Sequence, residues 1–212
     1  MNKIMKTDLI EHLTNSIELS LEDKLPSDIY SIEGMSSNKV RNLLSNICNL
    51  DNYNYLEIGV WKGSTCISSL YNNKFNKAYL IDNWSEFGTA KDDFFRNINY
   101  NLNQRINDIS VIEADCFSLS LDKIDSIIDI YFYDGNHSYE SHKNSLKYYY
   151  NVLNSEFIFI VDDWNADRVQ LGTYDAIKEL NFKIKFEEIL HSSGNEDKVS
   201  YWNGIGLFLL SK

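Results

Sequence analysis

The 212-residue chain predicts an α/β protein: a doubly wound sheet of seven strands with its last strand antiparallel, preceded by a short helical extension. Three observations predict it. From residue 55 onward, short β-prone apolar runs alternate with helical patterns, the mark of parallel βαβ units. The last two runs, "FKIKFEEIL" and "GIGLFLL", are joined by the polar loop "HSSGNEDKVSYWN" with no helix between them, which suits an antiparallel hairpin at one edge. Five successive strands end in glycine-rich or acidic sequence, at the rim where an open α/β sheet binds ligands.

In chain order, residues 1–47 read as helical. "DLIEHLTNSIEL" carries apolar positions at helix spacing, and "SSNKVRNLLSNIC" follows the turn at Gly34 and opens on serines suited to capping. The division is 1–47 as an extension and 48–212 as the main domain. Within the latter the strands are "YLEIGV", "AYLID", "ISVIEA", "IDIYFYD", "EFIFIVDD" and the two of the hairpin. Between them lie the helical candidates "STCISSLYNN", "AKDDFFRNINYNLNQRI", "SLSLDKI", "SYESHKNSLKYYYNVL" and "VQLGTYDAIKEL".

Composition narrows the function classes. A hydrophobic fraction of 43% is that of a folded domain rather than a disordered one. The formal charge is −11 with no Lys/Arg cluster, which argues against duplex nucleic acid and anionic membranes as partners. Cys48, Cys66 and Cys116 are far apart and form no metal or disulfide spacing, as expected in a reducing compartment. No run approaches the roughly 20 apolar residues of a membrane span, and no signal peptide opens the chain, so a cytoplasmic location is expected.

The strand ends carry the chemistry. The first runs into "LEIGVWKGST", where Gly59 and Gly63 permit positive φ and close backbone approach, and the helix from Ser64 offers free N–H groups. The spacing is not GxGxxG, which weakens a nicotinamide or flavin reading. Asp82 ends the second strand, where an acid can accept ribose hydroxyls. Asp115 in "EADCF" can receive an adenine amino group or stand as a solvated acid, and Phe117 can stack on a base or pack in the core. Asp134 ends the fourth strand and Asp162–Asp163 the fifth. Together these favour a nucleoside-bearing ligand at one rim.

"LEIGVWKGST", "LIDNW", "YFYDGNHSYE" and "FIVDDWN" together resemble the class I S-adenosylmethionine-dependent methyltransferases, and more narrowly the macrocin O-methyltransferase-like branch, which acts on sugar hydroxyls of natural products. The resemblance runs from about "EGMSSNKVRNLL" to the last strand. It implies the Rossmann-like sheet with its last strand antiparallel, and a dimer or larger assembly. By position it implies that Gly59 and Gly63 take the methionine moiety of the cofactor, that Asp82 binds the ribose with Trp84 as a wall, and that Asp115 and Cys116 lie along the adenine. Glu57 orients the glycine loop or serves the turn itself. Met35, with Ser36, matches a segment covering the cofactor, which makes 1–47 a cover for cofactor and substrate.

A hydroxyl is a poor nucleophile until a base or metal assists it. Asp134, Asp162 and Asp163 match the carboxylates of metal-dependent O-methyltransferases, an oxygen set suited to Mg²⁺ or another divalent cation. His137 stands where relatives place Lys or His as base, and an imidazole can accept a proton at neutral pH. Asp134 as a helix cap, Asp163 as a cap or water ligand, and His137 as a turn residue are the structural alternatives. His142 is expected at the surface. Some relatives carry Asp where this chain has Asn136, and there that acid is a candidate base. The expected function is metal-assisted O-methylation of a small-molecule or sugar hydroxyl, with no nucleic-acid or membrane partner. The alternatives are a metal-independent methyltransferase and a non-catalytic nucleoside- or partner-binding protein of the same fold.

Overall fold

The computed structural model describes residues 8–86 and 88–212. The first seven residues of the predicted extension, and Phe87, lie outside the described residues. The sheet has seven strands: β1 (Asp51–Ile58), β2 (Lys74–Asp82), β3 (Ile109–Glu113), β4 (Ile128–Tyr133), β5 (Leu153–Val161), β6 (Lys183–Leu190) and β7 (Ile205–Ser211). Their order is β3-β2-β1-β4-β5-β7-β6. The first five are parallel. β7 runs antiparallel between β5 and β6, so the predicted hairpin is present, with β6 at the edge.

The sequence explains these placements. β4 and the second half of β5 are almost wholly buried apolar and aromatic runs, as parallel strands covered on both faces must be. β6 instead alternates charge along its length (Lys183, Lys185, Glu187, Glu188) and is largely exposed, which blunts a sheet edge. Successive β1 residues face opposite cores: Tyr55 packs with Leu44, Ile67, Phe94 and Phe132, and Leu56 with Tyr131, Tyr149 and Phe159.

Helices α1 (Leu9–Leu19), α2 (Ser27–Tyr30), α3 (Asn38–Ile47), α4 (Ser64–Leu70) and α5 (Ala90–Leu102) cover the first face, and α6 (Tyr139–Tyr149) and α7 (Asp167–Glu179) the second. The extension is therefore three helices rather than a continuous helical stretch. Pro26, at the N-cap of α2, and the Gly34 turn interrupt it. Asp8 caps α1, and Ser37 caps α3 by accepting from Val40 N at 3.2 Å. Ser36 accepts instead from Arg41 Nε at 3.0 Å.

Three expected elements differ. "SLSLDKI" forms only the 3-10 turn Leu121–Lys123, too short to bury a helical face. The stretch from Ser138 ends as helix at Tyr149, because Leu153 is taken into β5 beside Ile128. The end of "AKDDFFRNINYNLNQRI" is 3-10, at Asn103–Asp108. Among the described residues no helix is long and apolar enough to cross a membrane.

Candidate functional site

The carboxyl ends of β1, β2, β3, β4 and β5 open into one cleft of about 760 Å³. Ten of the expected residues line it: Met35, Gly59 and Ser64, then Asp82, Asp115 and Cys116, then Asp134, His137, Asp162 and Asp163.

The β1–α4 turn sits directly on the end of β4. Gly59 has φ +88°, and a Cβ there would stand 1.8 Å from the carbonyl oxygen of Asp134. Only glycine allows that approach. Gly59 N donates to Ile81 O and Asp134 N to Ile58 O, both at 2.9 Å, which locks the three strand ends together. Gly63, with φ +90°, opens α4 but is buried beneath the cleft wall. Asp82 clamps two turns: its carboxylate accepts from Trp61 N at 2.8 Å and from Trp84 N at 2.7 Å. Trp84 does not form the expected cleft wall. Its indole donates to Trp61 O at 2.8 Å and its ring packs on Phe94, so it braces the turn from behind.

Glu57 is also behind the cleft rather than in it. It is fully buried, accepting from Thr65 Oγ1 at 2.6 Å and from the Tyr55 hydroxyl. Burial pushes its carboxyl up to about 7. A carboxyl raised on folding stabilises the protein at low pH, and that contribution is lost as pH rises from the unfolded value towards 7. Glu57→Gln is therefore expected to flatten the fall in melting temperature between about pH 5 and 8. An unchanged slope would place the dependence elsewhere.

At the end of β3, Asp115 accepts from Phe117 N at 2.8 Å, shaping its own turn. Burial pushes the Cys116 thiol up to about 12, so it contributes shape rather than a thiolate. Met35 is 42% exposed and reaches the cleft from the extension. Its neighbour Gly34 has no room for a Cβ, which would stand 2.0 Å from Ser64 Oγ.

At the ends of β4 and β5 the cleft gathers titratable groups. His137 Nε2 lies 3.4 Å from Asp163 Oδ2 and 4.0 Å from Asp134 Oδ1. Burial holds the imidazole below its ordinary value despite the pull of Asp163, so it is neutral at pH 7. Nδ1 is buried without a partner, leaving Nε2 as the nitrogen facing the carboxylates. Burial, together with the neighbouring carboxylates, pushes both Asp134 and Asp162 up, so the pair favours holding a proton. Asp163 sits at φ +56° and accepts from Asn203 Nδ2 at 2.6 Å.

The three aspartates reach one rim, but they do not gather as a metal site as they stand. Among the described residues no group of three or more His, Cys, Asp or Glu side chains could hold a metal ion. Asn136 is a turn residue whose Oδ1 accepts from Ser138 N and Ser141 Oγ, both at 3.0 Å. His142 is fully buried rather than at the surface, its ring 5.9 Å from that of His137. Gly172 of α7 lets the two helices close over it: a Cβ there would meet Tyr139 O at 2.4 Å.

Asn203, Glu86 and Glu196 also line the cleft and were not singled out from sequence. Nothing in the pattern of the 191–203 loop marks Asn203 as the partner of Asp163. That contact depends on how the loop folds back over β5, with Trp164 N donating to Gly204 O at 3.0 Å.

Comparison with known proteins adds to this geometry. Residues 56–164, just over half of the chain, match the model of a family described as a methyltransferase domain. Protein R132 of Acanthamoeba polyphaga mimivirus, itself uncharacterised, is 28% identical over 141 residues, 65% of this chain and 63% of that protein. The chain thus spans less than two thirds of this relative's length. Among solved structures, an O-methyltransferase from Bacillus cereus in complex with S-adenosylhomocysteine is 13% identical with a TM-score of 0.58, covering 98% of this chain and 93% of that one. A Pyrococcus horikoshii protein assigned as an RNA methyltransferase is 12% identical with a TM-score of 0.60, covering 98% of both chains. At these identities the likeness is one of fold: that of the class I S-adenosylmethionine-dependent methyltransferases.

Proposed function

The chain belongs to the methyltransferase-domain family, and from that premise we propose that it transfers a methyl group from S-adenosylmethionine to a hydroxyl of a small molecule, with a sugar ring of the macrocin type as the leading acceptor. The observation that carries this reading is the single cleft in which Gly59, Asp82 and Asp115 meet His137 and Asp163.

The residues fit such a cofactor. The Gly59 turn and Ser64 would hold its methionine end, Asp82 its ribose, and Asp115 with Cys116 its adenine, with Met35 over the top. Asp82 already accepts two backbone N–H groups, but a carboxylate has about four lone-pair sites and keeps capacity for ribose hydroxyls. When bound, the cofactor supplies an electrophilic methyl on a positive sulfur. Glu57 and Trp84 support the turns beneath, and the extension closes the cofactor end through Met35.

His137 does the proton chemistry. With its own hydrogen on Nδ1, Nε2 would take the proton of the acceptor hydroxyl, and a bound cofactor would supply the methyl group that replaces it on oxygen. The imidazolium then lies beside Asp163 and Asp134, which favour the charged ring. Asn203 holds Asp163 in place. Turnover is expected to be flat above neutrality and to fall on an acidic limb below pH 6.5, because protonated His137 cannot accept. A rate still rising steadily from pH 7 to 9 would contradict this assignment. The test of the reaction itself is incubation with S-adenosylmethionine and a panel of hydroxylated sugars. Methylated product with formation of S-adenosylhomocysteine supports it, and methylation confined to nitrogen acceptors overturns it.

One observation favours a second reading. No Lys or Arg forms an ion pair with Asp134, Asp162 or Asp163 among the described residues. A divalent cation held by these three would neutralise the pair in place of its proton. Under this reading Asp162→Asn abolishes Mg²⁺ binding measured by calorimetry and leaves S-adenosylhomocysteine affinity within about threefold, a shift under 1 kcal/mol. Wild-type protein that binds no Mg²⁺ removes it.

A further inference from the structure

The charge of the cleft selects among acceptors. Its lining carries seven carboxylates: Asp82, Asp115, Asp134, Asp162 and Asp163, joined by Glu86 and Glu196. No Lys or Arg is among the lining residues. Two cations nearby are engaged elsewhere. Lys62 is paired with Glu33 at 2.7 Å and Asp93 at 3.2 Å, and Lys91 with Glu113 at 2.6 Å. Arg168 donates to the backbone oxygen of His137 at 2.8 Å and so leaves one positive charge beside the acceptor end, though it does not line the cleft; Lys198, on the loop that carries Glu196, does not reach the lining either.

This excess survives every neutralising group the site would take. Leaving Asp134 and Asp162 out of the count still leaves five carboxylates on the lining. The proposed cofactor adds one net positive charge: its sulfonium and ammonium against its carboxylate. A divalent cation adds two more, and the balance stays negative. A cleft lined by one sign within low-dielectric walls focuses its field, and placing a like charge in it is costly.

Position sharpens the argument. Glu86 and Glu196 are exposed, and neither carboxylate has a hydrogen-bond or ion-pair partner among the described residues. Glu86 shares the cleft lining with His137, and Glu196 N donates to Asn203 Oδ1 at 2.7 Å, next to Asp163. Both therefore border the acceptor end, where Trp202 supplies an apolar surface.

Resting on the methyltransferase reading, we infer that the acceptor is an uncharged or ammonium-bearing hydroxyl compound, an amino sugar being the best fit, and that phosphorylated acceptors, nucleic acids included, are rejected by the cleft's own charge. The fold neighbour assigned to RNA methylation thus shares the scaffold without sharing the acceptor class.

The test begins with S-adenosylhomocysteine binding to wild-type protein; its absence sinks the methyltransferase reading itself, whatever the acceptors do. The loaded protein is then titrated at low salt with glucosamine, glucose and glucose 6-phosphate. The expected order of affinity is the same as that naming order, with the phosphate at least about tenfold weaker than its parent and the gap narrowing in high salt. The double substitution Glu86→Gln and Glu196→Gln should shrink the gap without changing S-adenosylhomocysteine affinity. Phosphate binding as tight as glucose overturns the inference. If none of the sugars binds, tryptophan quenching decides: relative to free tryptophan, the emission lost in Trp61→Phe should be quenched more efficiently by caesium than by iodide. A preference for iodide, or none, overturns it.

Discussion

His137→Gln is expected to lower turnover by about 10²–10⁴-fold, the usual contribution of a positioned general base. Affinity for S-adenosylhomocysteine should stay within about threefold, a shift under 1 kcal/mol. The split follows from geometry. His137 lies 3.4 Å from Asp163, whereas Asp82 is tied to the backbone of Trp61 and Trp84 and the Gly59 turn to the strand ends. Glutamine keeps a polar group of similar size but cannot take a proton at neutral pH. Asp163→Asn should act in the same direction and more weakly, since it removes the charge beside the imidazolium but keeps an acceptor for Asn203. Comparable loss of cofactor affinity and turnover in His137→Gln would mean that the residue shapes the turn rather than the reaction. Single-turnover rates together with calorimetry separate these outcomes.

Gly59→Ala is expected to have the other large effect, on binding. At φ +88° an L side chain is strained, at about 1–3 kcal/mol. The added Cβ would also stand 1.8 Å from a backbone carbonyl, which cannot move aside as a side chain can. The β1–α4 turn must therefore lift off the end of β4, and S-adenosylhomocysteine affinity should fall by at least about tenfold, or 1.4 kcal/mol. Gly88→Ala provides the control. Its φ is +83°, but a Cβ there meets nothing within 4 Å, so only the backbone cost of about 1–2 kcal/mol remains. Equal loss of cofactor affinity in both variants would show that the close approach at Gly59 is not what shapes the pocket.

Much of this architecture is legible without coordinates, for a physical reason. A parallel strand buried on both faces must be a nearly continuous apolar run, so "IDIYFYD" and "EFIFIVDD" announce both a strand and where it stops. Ligand chemistry then follows at the strand ends, and Asp82, Asp134 and Asp162 fall there. The misplacements have a common cause. Glu57 and Trp84 belong to the right motifs but point beneath the loop, and side-chain direction at a turn depends on backbone angles that residue type does not reveal. His142 reads as polar and exposed in a helix, yet Gly172, thirty residues later, lets α7 close over it. The Asn203–Asp163 contact joins residues forty apart across a loop without periodicity. Local pattern carries no trace of such pairs. The spacing of apolar residues marks 1–47 as helical, and what it does not reveal is that Leu13, Leu44 and Ile47 join one core with Tyr55 and Phe132 of the sheet.

The central claim is that the strand-end cleft is a cofactor site, and calorimetric titration with S-adenosylhomocysteine tests it most directly. The protein should bind one equivalent, in EDTA as well as in Mg²⁺, and Asp82→Ala should weaken that binding while the variant still melts cooperatively. Folded wild-type protein that binds none in either buffer would contradict the account, and would leave a methyltransferase fold put to another use.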